Sequence, residues 1–94
     1  MRIKDLIWLE DIVEKLRVKH QVDIAEVRDV LESRPRFRFV EKGHRRGEDL
    51  YAALGQTDAG RYLTVFFVLK EDGQALVVSA RDMSASERKR YEQG

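Results

Sequence analysis

Eight consecutive residues, Tyr62-Leu63-Thr64-Val65-Phe66-Phe67-Val68-Leu69, carry no charge and are rich in β-branched and aromatic side chains. Such a run suits a central strand covered on both faces, because apolar side chains leave it in both directions. Its flanks are turns. Asp58-Ala59-Gly60 precedes it, and Glu71-Asp72-Gly73 follows as a hairpin turn into a last strand over Ala75 to Ala80. Upstream, Leu50 to Gly55 reads as a further strand, and Arg36-Phe37-Arg38-Phe39-Val40 alternates basic and aromatic residues as a strand with one wet face. Between those two lies a basic turn, Gly43-His44-Arg45-Arg46-Gly47. Four strands in this order make an antiparallel meander.

The first third of the chain has a different period. Ile3 to Leu9 reads as a first strand rising in apolar content toward Trp8. Leu9, Ile12, Val13, Leu16 and His20 then recur at helical spacing. Asp23 and Glu26 have the spacing of a capping box and open a second helix, whose apolar side is Ile24, Val27, Val30 and Leu31. Pro35 stops that helix near Ser33 and biases Arg34 toward extended backbone. At the other end, Ser84 and Glu87 repeat the capping-box spacing and open a terminal helix. The order β-α-α-β-β-β-β-α predicts a single α+β domain over 1–94: a small antiparallel sheet, the two early helices packed on one of its faces, and a C-terminal helix.

With 94 residues and no cysteine, neither disulfides nor thiolate metal sites are available, and two histidines do not make a structural zinc site. No apolar run approaches membrane-spanning length and no signal-peptide pattern opens the chain, so a cytoplasmic protein is expected. The net charge of +1 conceals an uneven layout. Through Ser33 there are six basic and eight acidic residues, a net of −2, whereas Arg34 to Asp49 holds six basic against three acidic, a net of +3. A local patch of that kind favours an anionic partner only weakly.

The chemistry-bearing residues cluster at strand ends. Arg61 opens the central strand and Arg81 closes the last one, so an antiparallel pairing is expected to bring them to one rim. Two neighbouring guanidinium groups repel unless an anion lies between them. One reading is a phosphate clamp; the other is that each pairs with an acid such as Asp82 or Glu48. On the terminal helix Glu87, Arg90 and Tyr91 share a face, and Arg88 lies three residues before Tyr91. Tyr91 either docks the helix or turns its hydroxyl toward a phosphate or 2′-hydroxyl. His20, after Lys19, continues an apolar stripe at a helix end, where a packed or capping role competes with acid–base chemistry. His44, Arg45 and Arg46 suit phosphate contact. The residues alone define a cationic rim suited to RNA or to an acidic protein.

These residues, taken in order, resemble the BrnT family of toxins from bacterial type II toxin–antitoxin systems. The resemblance runs through Trp8, Lys19-His20 and Val22, Val30-Leu31, Gly47-Glu48 and Ala53-Leu54-Gly55. It continues through Gly60-Arg61-Tyr62-Leu63, Val78-Ser79-Ala80-Arg81 and Glu87-Arg88-Lys89-Arg90-Tyr91. It implies a RelE-like ribonuclease fold and a metal-independent endoribonuclease without a cofactor, in which an RNA 2′-hydroxyl attacks its neighbouring phosphate. Carried over, Arg61 and Arg81 would stabilise the phosphate, with His20 and Tyr91 as further catalytic candidates. Lys19, Glu48, His44, Arg45, Arg46, Arg88 and Arg90 would contact RNA. A co-encoded BrnA-like antitoxin would be the partner, in a hetero-oligomer or beside a homodimer. The chain departs from the family pattern at Leu9-Glu10-Asp11, at Gln21, where a glycine turn is lost, and at Leu76, where an arginine often stands. These departures keep open a non-catalytic RNA- or antitoxin-binding module on the same fold.

Overall fold

The computed structural model describes residues 1–93. Its elements are β1 (Asp5–Ile7), α1 (Glu10–His20), α2 (Ile24–Glu32), β2 (Arg36–Glu41), β3 (Leu50–Gln56), β4 (Tyr62–Leu69), β5 (Gln74–Asp82) and α3 (Ala85–Gln93). The element order is the expected one. The strands form one sheet in the order β1-β5-β4-β3-β2, with the uncharged run Tyr62–Leu69 at its centre. The four later strands pair antiparallel, whereas the short β1 pairs parallel with β5. That parallel edge, reached from a distant part of the chain, is the one departure from an all-antiparallel sheet.

Because β1 and β2 are the two edges, the segment joining them has to cross a whole face of the sheet. It does so as α1 and α2, which is why both helices lie on the same side. Leu63, Val65 and Phe67 point to that side and pack with Ala53, Val77 and Ala80 against Leu16, Val22, Val27 and Val30. Trp8, just past β1, is a half-buried anchor against this core rather than its strand's last residue. Gly55 allows the end of α2 to approach β3: a Cβ there would lie 3.0 Å from Ser33 Oγ and 3.1 Å from a Val30 methyl. The opposite face receives Tyr62, Thr64, Phe66 and Val68 from β4, by the alternation of a strand. Helix α3 covers only the first part of that face, so Thr64 is buried while Phe66 and Val68 remain half-exposed.

Both capping boxes form. Asp23 Oδ1 accepts from the Glu26 amide at 3.0 Å and Glu26 Oε1 from the Asp23 amide at 3.2 Å. Ser84 Oγ and Glu87 do the same for α3. Two local expectations are corrected. Gln21 adopts the left-handed conformation itself (φ 52°, ψ 41°) and caps α1 by donating to the Leu16 carbonyl, so the turn survives without its glycine. Arg34 is also left-handed, at φ 58°, rather than extended. Proline disfavours the right-handed helical region for its predecessor, and a residue just past a helix end commonly turns left-handed.

Candidate nucleic-acid interface

The register between β4 and β5 determines where the cations go. Leu63 lies opposite Asp82 and Thr64 opposite Arg81. Thr64 faces α3, so Arg81 faces α3 as well. There its guanidinium meets Glu87 in a two-point contact, Nη1 donating to Oε1 at 2.7 Å and Nη2 to Oε2 at 3.0 Å. Glu87 is only 8 % exposed. Its Oε1 also accepts from Thr64 Oγ1 at 3.0 Å and from the Ser84 amide at 2.8 Å. One carboxylate therefore caps α3, satisfies a buried hydroxyl and orients an arginine. The guanidinium also lies 5.2 Å from the centre of the Phe66 ring.

The Arg81 guanidinium, with further help from the Ser84 amide and Thr64, holds the Glu87 carboxyl down at about 2, against the opposing effect of burial. A carboxyl of ordinary pKa when unfolded and about 2 when folded stabilises the fold fully above its unfolded value. That contribution disappears as pH falls from about 4.5 through 2. Linkage puts it at about 3 kcal/mol. Glu87→Gln is therefore expected to be less stable than the parent by about that amount near neutral pH. The two stabilities should converge toward pH 2 in urea titrations at several pH values; a gap independent of pH would contradict the ion pair.

Arg61 does not join Arg81. It lies two positions before Leu63 on the strand alternation and turns to the α1/α2 side. Its Nε donates to Asp82 Oδ1 at 2.8 Å and its Nη1 to Glu26 at 3.1 and 3.2 Å. The same group donates to the carbonyls of Gln21 at 2.6 Å and His20 at 2.9 Å. The Asp82 hydrogen bond raises the Arg61 pKa, with Glu26 adding to it and partial burial opposing it. The two arginines thus occupy separate ion pairs on opposite faces of the sheet, and the expected clamp does not form. The reason is parity: Arg61 and Arg81 reach the same end of the sheet but leave it in opposite directions. Pairing with an acid, the other reading, holds for Asp82 and not for Glu48.

The remaining candidates fall into three places. Lys19 and His20 end α1, on the Arg61 side. His44, Arg45, Arg46 and Glu48 occupy the β2–β3 connection, where Arg46 lies 4.0 Å from Glu71 of the β4–β5 turn. That is the other end of β4 from Arg61, about 23 Å away at strand rise, so these residues do not converge with the arginine rim. Arg88, Arg90 and Tyr91 do share the α3 face with Arg81. Tyr91 packs edge-on against Tyr62 with ring centres 5.9 Å apart, and Arg88 stacks 3.9 Å over the other ring, that of Tyr62. Tyr91 therefore has a docking role, as one of its two readings anticipated. Arg90 lines a cleft with Arg36 and Arg38. Those two were visible in the sequence only as the wet side of an alternating strand. Glu87 too was legible only as a cap, although Arg81 lies six residues before it.

An α+β sheet that gathers guanidinium groups and half-exposed rings on one face is suited to a protein that handles RNA. A family model described as the ribonuclease toxin BrnT of type II toxin–antitoxin systems matches residues 8–87, and the chain belongs to that family of ribonuclease toxins. Its fold is similar to the 1.1 Å crystal structure of the Brucella abortus ribonuclease toxin BrnT. The TM-score is 0.61 with 22 % identity, over 85 % of this chain and 96 % of that one. No curated protein matches by sequence. Membership of a type II toxin–antitoxin family brings with it an antitoxin partner and an RNA substrate. No helix among the described residues is long and apolar enough to cross a membrane.

Proposed function

We propose that this chain is a metal-independent endoribonuclease acting on cytoplasmic RNA, with Arg81 as its principal phosphate-stabilising group. The observation that carries the reading is the Arg81 guanidinium itself, fixed by a buried carboxylate yet with its side chain 38 % exposed. Three of its five N–H groups are engaged, by the Asp82 carbonyl and the two Glu87 oxygens. The Nε–H and one Nη2–H remain to meet a phosphate. In the reaction the 2′-oxygen bonds to phosphorus and loses its proton to solvent, while the bond from phosphorus to the 5′-oxygen breaks and that oxygen takes a proton. The products are a 2′,3′-cyclic phosphate and a 5′-hydroxyl. Negative charge grows on the phosphate oxygens along this path, and a preorganised cation stabilises it more than it stabilises the substrate. Tyr91 and Arg88 hold α3 to this face through Tyr62, and a BrnA-like antitoxin that covers the face would silence it.

Purified protein incubated with RNA and EDTA is expected to yield fragments with 2′,3′-cyclic phosphate and 5′-hydroxyl ends. Fragments with 3′-hydroxyl ends, or cleavage lost on chelation, would contradict the mechanism. A second reading, a non-catalytic binding module, is favoured by Leu76: it lies beside Val68 on the Arg81 face, an apolar residue where the family resemblance leads one to expect a cation. Intact RNA from soluble, folded protein that still binds it would support that alternative.

A further inference from the structure

Arg36 and Arg38 project from the outer face of the edge strand β2, and Arg90 reaches toward them from α3. With Phe37 and Leu54 they line a cleft of about 160 Å³. Among the described residues none of the three arginines is within ion-pair distance of a carboxylate. Three like charges from two separate elements around one small concavity repel one another, and an anion lodged between them would relieve that repulsion. The sheet register relates this cleft to Arg81. Arg36 lies opposite Leu54, Leu54 opposite Thr64 and Thr64 opposite Arg81, so the two arginines end one row across four strands. Three interstrand spacings separate them, about 14 Å. The next row runs Arg38, Ala52, Phe66, Ser79, and places a half-exposed aromatic ring between the two cationic points.

We propose that the Arg36/Arg38/Arg90 cleft is a second phosphate subsite, which holds the backbone of a single RNA strand at a distance from the phosphate at Arg81. The proposal rests on the ribonuclease reading and extends it to the substrate: single-stranded RNA longer than a dinucleotide, with a base free to stack on Phe66. An unpaired strand offers both a flexible backbone and open base faces, which a duplex does not. Arginine is suited to such a point because its fork grips phosphate oxygens in pairs.

The test uses the full chain, a non-cleavable 2′-O-methyl octamer for binding, and cleavable RNAs from a dinucleotide to an octamer. In the wild type, affinity and kcat/KM are expected to rise with length. Arg36→Gln/Arg38→Gln, with Arg90→Gln as a separate variant, should erase most of that rise. The double variant should weaken octamer binding about tenfold or more and reduce the slope of log K against log salt by about 1.4, two single-strand phosphate contacts. Octamer binding and salt slope equal to wild type in both variants would overturn the subsite. So would loss of affinity for the antitoxin alone, which would make the cleft a protein contact. Absence of cleavage by the wild type would defeat the ribonuclease reading by itself, while the octamer binding arm would still decide the cleft.

Discussion

Arg81→Ala is expected to lower the rate of RNA cleavage by about 10²–10³-fold, the effect of deleting one preorganised donor from a site where negative charge develops. The substitution also leaves Glu87 without the partner that satisfies both its oxygens. Glu87 keeps its Thr64 and Ser84 donors, so the lost charged hydrogen bonds are expected to cost about 1.5–3 kcal/mol of stability. Single-turnover rates therefore have to be compared per folded molecule. Arg81→Lys separates the two effects. It keeps the charge beside Glu87 but lacks the planar fork, so it should recover most of the stability and little of the rate. Cleavage by folded Arg81→Ala at the wild-type rate would remove Arg81 from the chemistry.

The second large effect is on stability. Arg61 joins the end of α1, the start of α2 and the end of β5 through one side chain that is 27 % exposed. Arg61→Ala deletes all of these at once: two carboxylates lose their partner, and the His20 and Gln21 carbonyls lose a donor. Destabilisation of about 2–4 kcal/mol is expected. In a domain of this size that lowers Tm by about 10–20 °C. Any loss of RNA cleavage in this variant should follow its folded fraction, measured by calorimetry and single-turnover rates on one preparation. A variant that melts like the parent but no longer cuts would return Arg61 to the phosphate site.

The contrast between these two arginines shows how far the residues alone could be read. Both capping boxes, Asp23 with Glu26 and Ser84 with Glu87, were legible because each is a contact between residues three apart. The central strand and its turns were legible for the same reason: composition and turn chemistry are local. That Arg61 and Arg81 reach one end of the sheet also followed from topology. Which way each points did not, because that depends on pairing Leu63 with Asp82 rather than with a neighbour, and a slip of one residue inverts every side chain. The parallel docking of β1 on β5 joins residues far apart in sequence and leaves no local mark. Gln21 kept a left-handed turn that its side chain disfavours, because the helix end and the Arg61 contact to its carbonyl specify that backbone. Arg36 and Arg38 declared a wet face, but their meaning comes from α3 passing overhead.

Glu87 binds the Ser84 amide, the Thr64 hydroxyl and the Arg81 fork with a single carboxylate. Three separate contacts therefore depend on one side chain. A change that spares the helix but shortens the reach, such as aspartate, still releases the guanidinium; glutamine keeps the length but replaces one acceptor oxygen with a donor, so it loses the charge and one arm of the fork together. Among the described residues no second carboxylate pairs with this guanidinium. One substitution there would loosen a helix start, a buried hydroxyl and a guanidinium together.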